Sequence, residues 1–338
     1  MKIGVIGAGS WGTSLAILLA NKGYYVELWV RRKNLLEKMQ HEWENVDYLP
    51  GIKLPGQIRL TMDLQRAVQD KEIIVLAIPS HAVEETVNSF RSFFHQETIV
   101  VNTAKGFAQG SNKRLSQVIE ECLPGHAPGK VAVLSGPNHA EEVSRGLPTA
   151  TVVAAAEQET AETIQDLFMT DQFRVYTNLD IIGVELGGAL KNIIAIGAGV
   201  CDGLKFGDNT KAALLTRGLV EITRLGLSLG AQSKTFSGLT GVGDLFVTCT
   251  SSHSRNRYVG LLLGEGKTIE EITASMKMVA EGIKTTRAAF ALAQARGVEM
   301  PITREMHGIL FEGTQPWQAV ENLMRREKTH EIEEVAFE

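Results

Sequence analysis

Three groups of residues could carry chemistry. Gly7-Ala8-Gly9-Ser10-Trp11-Gly12 follows the apolar run Lys2–Ile6 and opens a stretch with helical apolar spacing at Leu15, Leu18 and Leu19. Between a strand and a helix, G-x-G-x-x-G suits a dinucleotide. The first glycine makes the tight turn, and the second lets backbone approach a pyrophosphate resting on the helix N-terminus. At the end of the next strand, Val26–Val30, NAD-specific sites carry an acid, whereas this chain has Arg31-Arg32. Two guanidinium forks suit a 2′-phosphate and so point to NADPH. The third group centres on Lys191, set among Leu186-Gly187-Gly188-Ala189-Leu190 and Asn192-Ile193-Ile194. Burial disfavours an ammonium and lowers its pKa toward use as proton donor and acceptor.

Other residues fall where such a site would need them. Asn102-Thr103-Ala104-Lys105-Gly106 and Ser135-Gly136-Pro137-Asn138 each end an apolar strand, at the sheet edge where ligands bind. Gly241-Val242-Gly243-Asp244-Leu245 reads as a glycine-flanked turn whose carboxylate could orient a lysine. Ser254-Arg255-Asn256 stands before a helical pattern and offers hydroxyl, guanidinium and amide to a phosphate. Each also has a plain structural reading: a solvated strand end, a surface lysine, a turn aspartate, a capped helix. The histidines lack metal-ligand spacing, so no metal is expected.

These residues need a scaffold, and composition describes it. The chain has 338 residues, 44% hydrophobic and 22% charged, enough for two ordinary cores. Its 34 Lys+Arg and 39 Asp+Glu give a net charge of −5 with no basic block, which argues against a nucleic-acid partner. Three cysteines without C-x-x-C fit reduced core thiols, and Met1-Lys2 leads straight into a strand rather than a leader. A cytoplasmic protein is expected.

Strand patterns at Lys2–Ile6, Val26–Val30, Ile73–Ile78, Ile99–Asn102, Val131–Ser135 and Thr149–Ala154 alternate with helical ones such as Ala82–Phe93 and Lys113–Cys122. That alternation predicts an α/β domain with a doubly wound, mostly parallel sheet. After Tyr176 only helical patterns follow, from Ile181–Val200 to Pro316–Met324. The expected division is a dinucleotide-binding domain at 1–178, an all-α substrate domain at 179–330, and a poorly ordered tail at 331–338. Ile181–Val200 is apolar enough to raise the question of a membrane span. Glu185, Lys191 and Asn192 near its centre favour a buried core helix instead. Glycine is abundant, 33 residues, and thirteen of them lie between Gly183 and Gly243 in a stretch without proline. Close helix packing around Lys191, through residues such as Gly187, Gly188, Gly197 and Gly199, is the expected cause.

Taken together, Gly7–Gly12 with Ser10-Trp11, the Lys105 and Gly136 segments, Glu185–Gly203, the Asp244 turn, Ser254-Arg255-Asn256 and Val279-Ala280-Glu281-Gly282 resemble one family over nearly the whole chain. That family is the bacterial NAD(P)-dependent glycerol-3-phosphate dehydrogenases. The resemblance implies a Rossmann-type domain followed by a helical domain of the 6-phosphogluconate dehydrogenase C-terminal type. The implied reaction interconverts dihydroxyacetone phosphate and sn-glycerol 3-phosphate with NADPH, NADH also being accepted, for glycerophospholipid synthesis. By matching positions Lys191 is the proton donor and acceptor. Gly7, Gly9, Ser10, Trp11, Gly12, Arg31, Arg32, Tyr48, Lys105, Ala140, Arg255, Val279 and Glu281 are implied cofactor contacts. Lys105, Gly136, Asn138, Lys191, Asp244, Ser254, Arg255 and Asn256 are implied substrate contacts, supported by Asn192 and Thr248. Where the family commonly has Ser-Phe after Gly-Pro, this chain has Asn138-His139. A homodimer without a membrane span is expected. Two rival readings are a two-domain dehydrogenase of hydroxyacids or ketopantoate, and a cofactor-binding sensor without turnover.

Overall fold

The structure, a computed structural model, describes residues 1–276, 280–328 and 331. Val279 and nearly all of the expected tail at 331–338 lie outside the described residues. The chain divides into two compact units.

The first unit comprises Met1–Ala104 and Lys113–Ile181. Its strands are β1 (Ile3–Ile6), β2 (Val26–Trp29), β3 (Ile58–Thr61), β4 (Ile73–Leu76), β5 (Ile99–Asn102), β6 (Val131–Ser135), β7 (Thr149–Ala155) and β8 (Phe173–Asn178). They form one sheet in the order β3-β2-β1-β4-β5-β6-β7-β8. β1 to β6 run parallel, β7 is antiparallel to β6, and β8 is parallel to β7. Every residue of β1, β4 and β5 is buried, as continuous apolar runs covered on both faces must be. The strand order reverses between β1 and β4, so the ligand crevice of this sheet type lies beyond their carboxyl ends. The glycine loop leaves β1 there.

Two strands, β3 and β8, are absent from the sequence expectation. Both lie at sheet edges and are partly open to water, β3 at Arg59 and β8 at Arg174 and Tyr176. A strand half open to water lacks the apolar run that marked its central neighbours.

The second unit takes in Lys105–Asn112 and the described chain from Ile182 onward. Phe107 packs into its core, which accounts for the short excursion. The axis is the helix Ile181–Gly203, buried without interruption from Gly183 to Cys201. Among the described residues it alone is long and apolar enough to cross a membrane, and 89% of that stretch is buried inside the protein.

Backbone passes very close to this helix. A Cβ on Gly199 would lie 1.9 Å from Arg257 O, and one on Gly260 would lie 1.9 Å from Ile196 O. Gly203 and Gly264 repeat the pattern one turn on, at 2.4 Å from Leu261 O and 2.7 Å from Val200 O. Paired glycines on both helices therefore let Ile181–Gly203 cross Arg255–Gly264 at backbone contact. Arg257 Nε also donates to Asp202 Oδ2 at 2.7 Å, pinning the same crossing. On another side, the Glu221 carboxylate accepts from the N–H groups of Ile302 and Thr303, the latter at 3.1 Å. It thereby caps the helix Pro301–Phe311 from a distance, and burial pushes its pKa up to about 7.

The glycines differ in what a methyl group would cost. Gly199→Ala should destabilise the protein by about 1–3 kcal/mol through overpacking against backbone. A Cβ on Gly197 meets the movable end of Leu214 at 3.2 Å. Gly197→Ala, which gains helix propensity of roughly 1 kcal/mol, should be neutral or stabilising. Denaturant unfolding of the two variants checks this, and equal losses would contradict it.

Candidate active site

In the first unit the three loop glycines do three different jobs. Gly7 has φ 116°, a turn that an L side chain resists. A Cβ on Gly12 would sit 1.9 Å from Gly7 O, so that glycine is required for helix and strand to meet. Gly9 satisfies neither condition. Among the described residues nothing lies within 4 Å of the Cβ it lacks, so the room there faces outward, where a ligand's backbone-hugging group would fit. Helix Ser10–Asn21 starts at this point with neither a side-chain cap nor an acid in its first turn. Its uncapped first-turn N–H groups and positive dipole end favour an anion.

Arg31 and Arg32 are exposed just past β2. The Arg32 guanidinium hydrogen-bonds the Tyr48 hydroxyl and lies 5.3 Å from that ring's centroid. The loop residue Tyr48 thus joins the arginine pair. These features fit an NADP-type dinucleotide: a glycine cradle, an uncapped helix start and a basic strand end.

Gly136 ends β6 with φ 141°, and a Cβ there would lie 3.0 Å from Thr151 Oγ1. Asn138 Nδ2 donates to the same oxygen at 3.2 Å. Asn138 is therefore tied to β7, a structural engagement that its position after Gly-Pro did not announce. Ala140 opens the short helix Ala140–Val143, which packs against Ser10–Asn21.

The second unit holds the lysine site. Helix Ile181–Gly203 carries Lys191 into the core, 5% exposed. Its ammonium donates to Asp244 Oδ1 at 2.5 Å and to Thr248 Oγ1. Lys105 donates to the other carboxylate oxygen, Asp244 Oδ2, at 2.8 Å. The Thr248 hydroxyl donates back to Asp244 O at 2.6 Å, leaving its oxygen to accept from Lys191. One buried carboxylate therefore holds two ammonium groups. Burial is the main influence on Lys191 and lowers its pKa from 10.5 to about 8, Asp244 pulling upward and Lys105 downward.

Asp244 was expected in a turn, but it begins a helix, Asp244–Thr250. The preceding Leu239–Gly243 is a wide π-type turn that runs straight into it, with Gly243 N–H donating to Gly238 O at 3.2 Å. A Cβ on Gly241 would lie 1.8 Å from Phe236 O, so the glycines that suggested a loop are there to let this turn pack. Such turns recur at functional sites because they re-aim a side chain.

The phosphate candidates lie at the start of helix Arg255–Gly264. Ser254 caps it, its Oγ accepting from Arg257 N–H at 3.2 Å, so the plain capping reading holds for that oxygen while its proton stays available. Arg255 is exposed and Asn256 buried. Asn256 Nδ2 donates to Asn192 Oδ1 at 2.9 Å, and Gly282 N–H donates to Asn256 Oδ1 at 2.9 Å. Glu281 begins helix Glu281–Arg296, half-buried. Gly282 entered the sequence reading only within the motif Val279-Ala280-Glu281-Gly282, with no role assigned to it. Cys201 and Cys249 are buried free thiols, pushed up to about 11 and about 12 by burial.

Residues 2–161 match the NAD-dependent glycerol-3-phosphate dehydrogenase N-terminus, and residues 180–321 match the C-terminus of the same family. The chain belongs to the NAD-dependent glycerol-3-phosphate dehydrogenase family. Among its relatives, the glycerol-3-phosphate dehydrogenase (NAD(P)+) of Moorella thermoacetica is 55% identical over 333 residues, 98% of each chain. That of Pelotomaculum thermopropionicum is 52% identical, covering 99% of this chain and 96% of the relative. The crystal structure of glycerol-3-phosphate dehydrogenase from Coxiella burnetii superposes with a TM-score of 0.92 at 41% identity, covering 96% of this chain and 99% of that one. In this dehydrogenase chain, then, a Rossmann-like sheet unit and a helical unit each carry part of the expected residue set.

The shared carboxylate makes one consequence measurable. Asp244→Asn removes the charge that holds the Lys191 pKa up. The Lys191 midpoint, followed by ¹⁵N NMR of its Nζ, should drop below about 8, by roughly one unit or more. An unchanged or higher midpoint would contradict the arrangement.

Proposed function

We propose that this chain reduces dihydroxyacetone phosphate to sn-glycerol 3-phosphate, reversibly, with NADPH as the preferred cofactor and NADH as a second one. The observation that carries this reading is the buried Lys191 ammonium poised near pH 8 on a carboxylate it shares with Lys105. When bound, the nicotinamide supplies a hydride to the C2 carbonyl carbon. Negative charge then grows on the carbonyl oxygen. Lys191 gives that oxygen a proton, and Lys105 stabilises the charge as it forms. Asp244 and Thr248 hold Lys191 in one rotamer, so little reorganisation is needed at the moment of transfer. In the oxidative direction a neutral Lys191 takes the proton of the C2 hydroxyl.

Ser254, Arg255 and Asn256 grip the substrate phosphate, so binding remote from the reacting carbon fixes its geometry. Gly136 and Asn138 are further substrate contacts that the family resemblance implies. Gly7, Gly9, Ser10, Trp11 and Gly12 cradle the pyrophosphate, and Arg31 with Arg32 and Tyr48 takes the 2′-phosphate. Lys105, Ala140, Arg255 and Glu281 are further cofactor contacts. The product supplies glycerophospholipid synthesis in the cytoplasm, a setting with which three free buried thiols agree. The enzyme works as a homodimer and spans no membrane. The exposed Val242 and Phe246, four residues apart in the helical unit, are apolar surface such a dimer would cover.

Lys191→Met should lower kcat on the order of 10²–10⁴-fold while NADPH still binds. In the wild type, kcat/KM for reduction needs the ammonium and should fall as pH rises through about 8, the value to which burial lowers Lys191. The oxidation rate needs the free amine and should rise over the same range. A Met variant with wild-type turnover would sink the assignment. Replacing both Arg31 and Arg32 by Ala should weaken NADPH far more than NADH in steady-state assays. Equal losses would count against the 2′-phosphate reading.

A further inference from the structure

Two buried amides, Asn192 next to Lys191 in the sequence and Asn256, are hydrogen-bonded in series, and a backbone group decides which way both face. Asn192 Oδ1 accepts from Asn256 Nδ2, and Asn256 Oδ1 accepts from the N–H of Gly282. A backbone N–H can only donate. Turning the Asn256 amide over would set its NH2 against that N–H and its oxygen against Asn192 Oδ1, losing two buried hydrogen bonds at once. Asn256 is thereby locked, and through it Asn192, whose own Nδ2 is left facing Gly188 O at 3.5 Å.

The lock has a chemical polarity. Both carbonyl oxygens point to partners inside the protein. Each amide has two N–H groups, and these bonds use one of them on each side chain. What remains is donors, which is what an anion needs and what a flipped Asn256 would replace with an oxygen. The position of Gly282 is equally constrained. It is the second residue of helix Glu281–Arg296, and a Cβ there would lie 2.7 Å from Asn192 O and 2.9 Å from Asn256 Oδ1. No larger residue can bring its N–H so close.

We propose that Gly282 is a positioning residue for substrate: its N–H sets Asn256, and through it Asn192, to present only donors to the substrate phosphate. This rests on the phosphate reading of Asn256 given above. The Gly282 backbone acts without touching substrate, by removing the alternative in which the amides repel an anion.

The test is a cycle of Gly282→Ala, Asn256→Ala and the double variant, assayed at saturating NADPH with dihydroxyacetone phosphate and with dihydroxyacetone, and with NADPH varied separately to obtain its KM. Gly282→Ala should lower kcat/KM for the phosphorylated substrate on the order of 10- to 100-fold, the scale of a small misplacement. It should leave the unphosphorylated substrate and the KM for NADPH unchanged. In the Asn256→Ala background it should have no further effect. The same fold-loss in both backgrounds, or equal losses with both substrates, overturns the proposal. If Asn256→Ala itself costs both substrates equally, the phosphate reading falls and takes the proposal with it. A second measurement uses the unaltered enzyme and does not depend on a variant folding. Hydrogen exchange at the Gly282 amide should slow further with sn-glycerol 3-phosphate and not with glycerol; no slowing with the phosphorylated ligand also overturns it.

Discussion

A single buried carboxylate organises the helical unit's chemistry. Asp244 is almost fully removed from water and holds Lys191 on one oxygen and Lys105 on the other. Two ammonium groups so close would repel each other strongly without it, and a lone lysine so deeply buried would give up its proton. With it, Lys191 keeps a pKa of about 8, lowered by burial and held up by Asp244. The cost of burial is therefore not merely tolerated. It lowers the pKa of Lys191 by desolvation, while one neighbour, Asp244, favours its charge.

Much of the surrounding chain can be understood as support for that carboxylate. A π-type turn packed by Gly241 aims Asp244, and Phe107, in the core, anchors the segment that begins with Lys105. The long helix that carries Lys191 is buried over most of its length. An apolar helix with a lysine in the middle is stable only where such a partner waits, and the partner comes 53 residues later in the chain.

How much of this was legible beforehand depended on whether the cause was local. The glycine loop after β1 and the helix through Lys191 were readable because strand, turn and helix periods stand next to each other in sequence. The edge strands β3 and β8 were not, since a half-solvated strand of four to six residues carries too weak a period. Asp244 was read as a turn residue because glycine is a poor helix former, a rule overridden here by packing against Phe236. The Asn192–Asn256–Gly282 chain could not be found from spacing, as it joins three helices whose approach depends on the tertiary fold. The abundance of glycine was visible from the start; which backbone each one meets was not.

The glycine crossing of Ile181–Gly203 with Arg255–Gly264 also sets a length. One helix bears Lys191 and the other begins with Arg255-Asn256, and at Gly199, Gly203, Gly260 and Gly264 their backbones touch. Side-chain interfaces can slip by fractions of an ångström when a core repacks; two main chains in contact have no such slack. Under the proposed reading, the interval from carbonyl oxygen to phosphorus is thus gauged by covalent backbone, as by a ruler. A substrate one carbon longer or shorter could keep its phosphate in place or its carbonyl at Lys191, but not both.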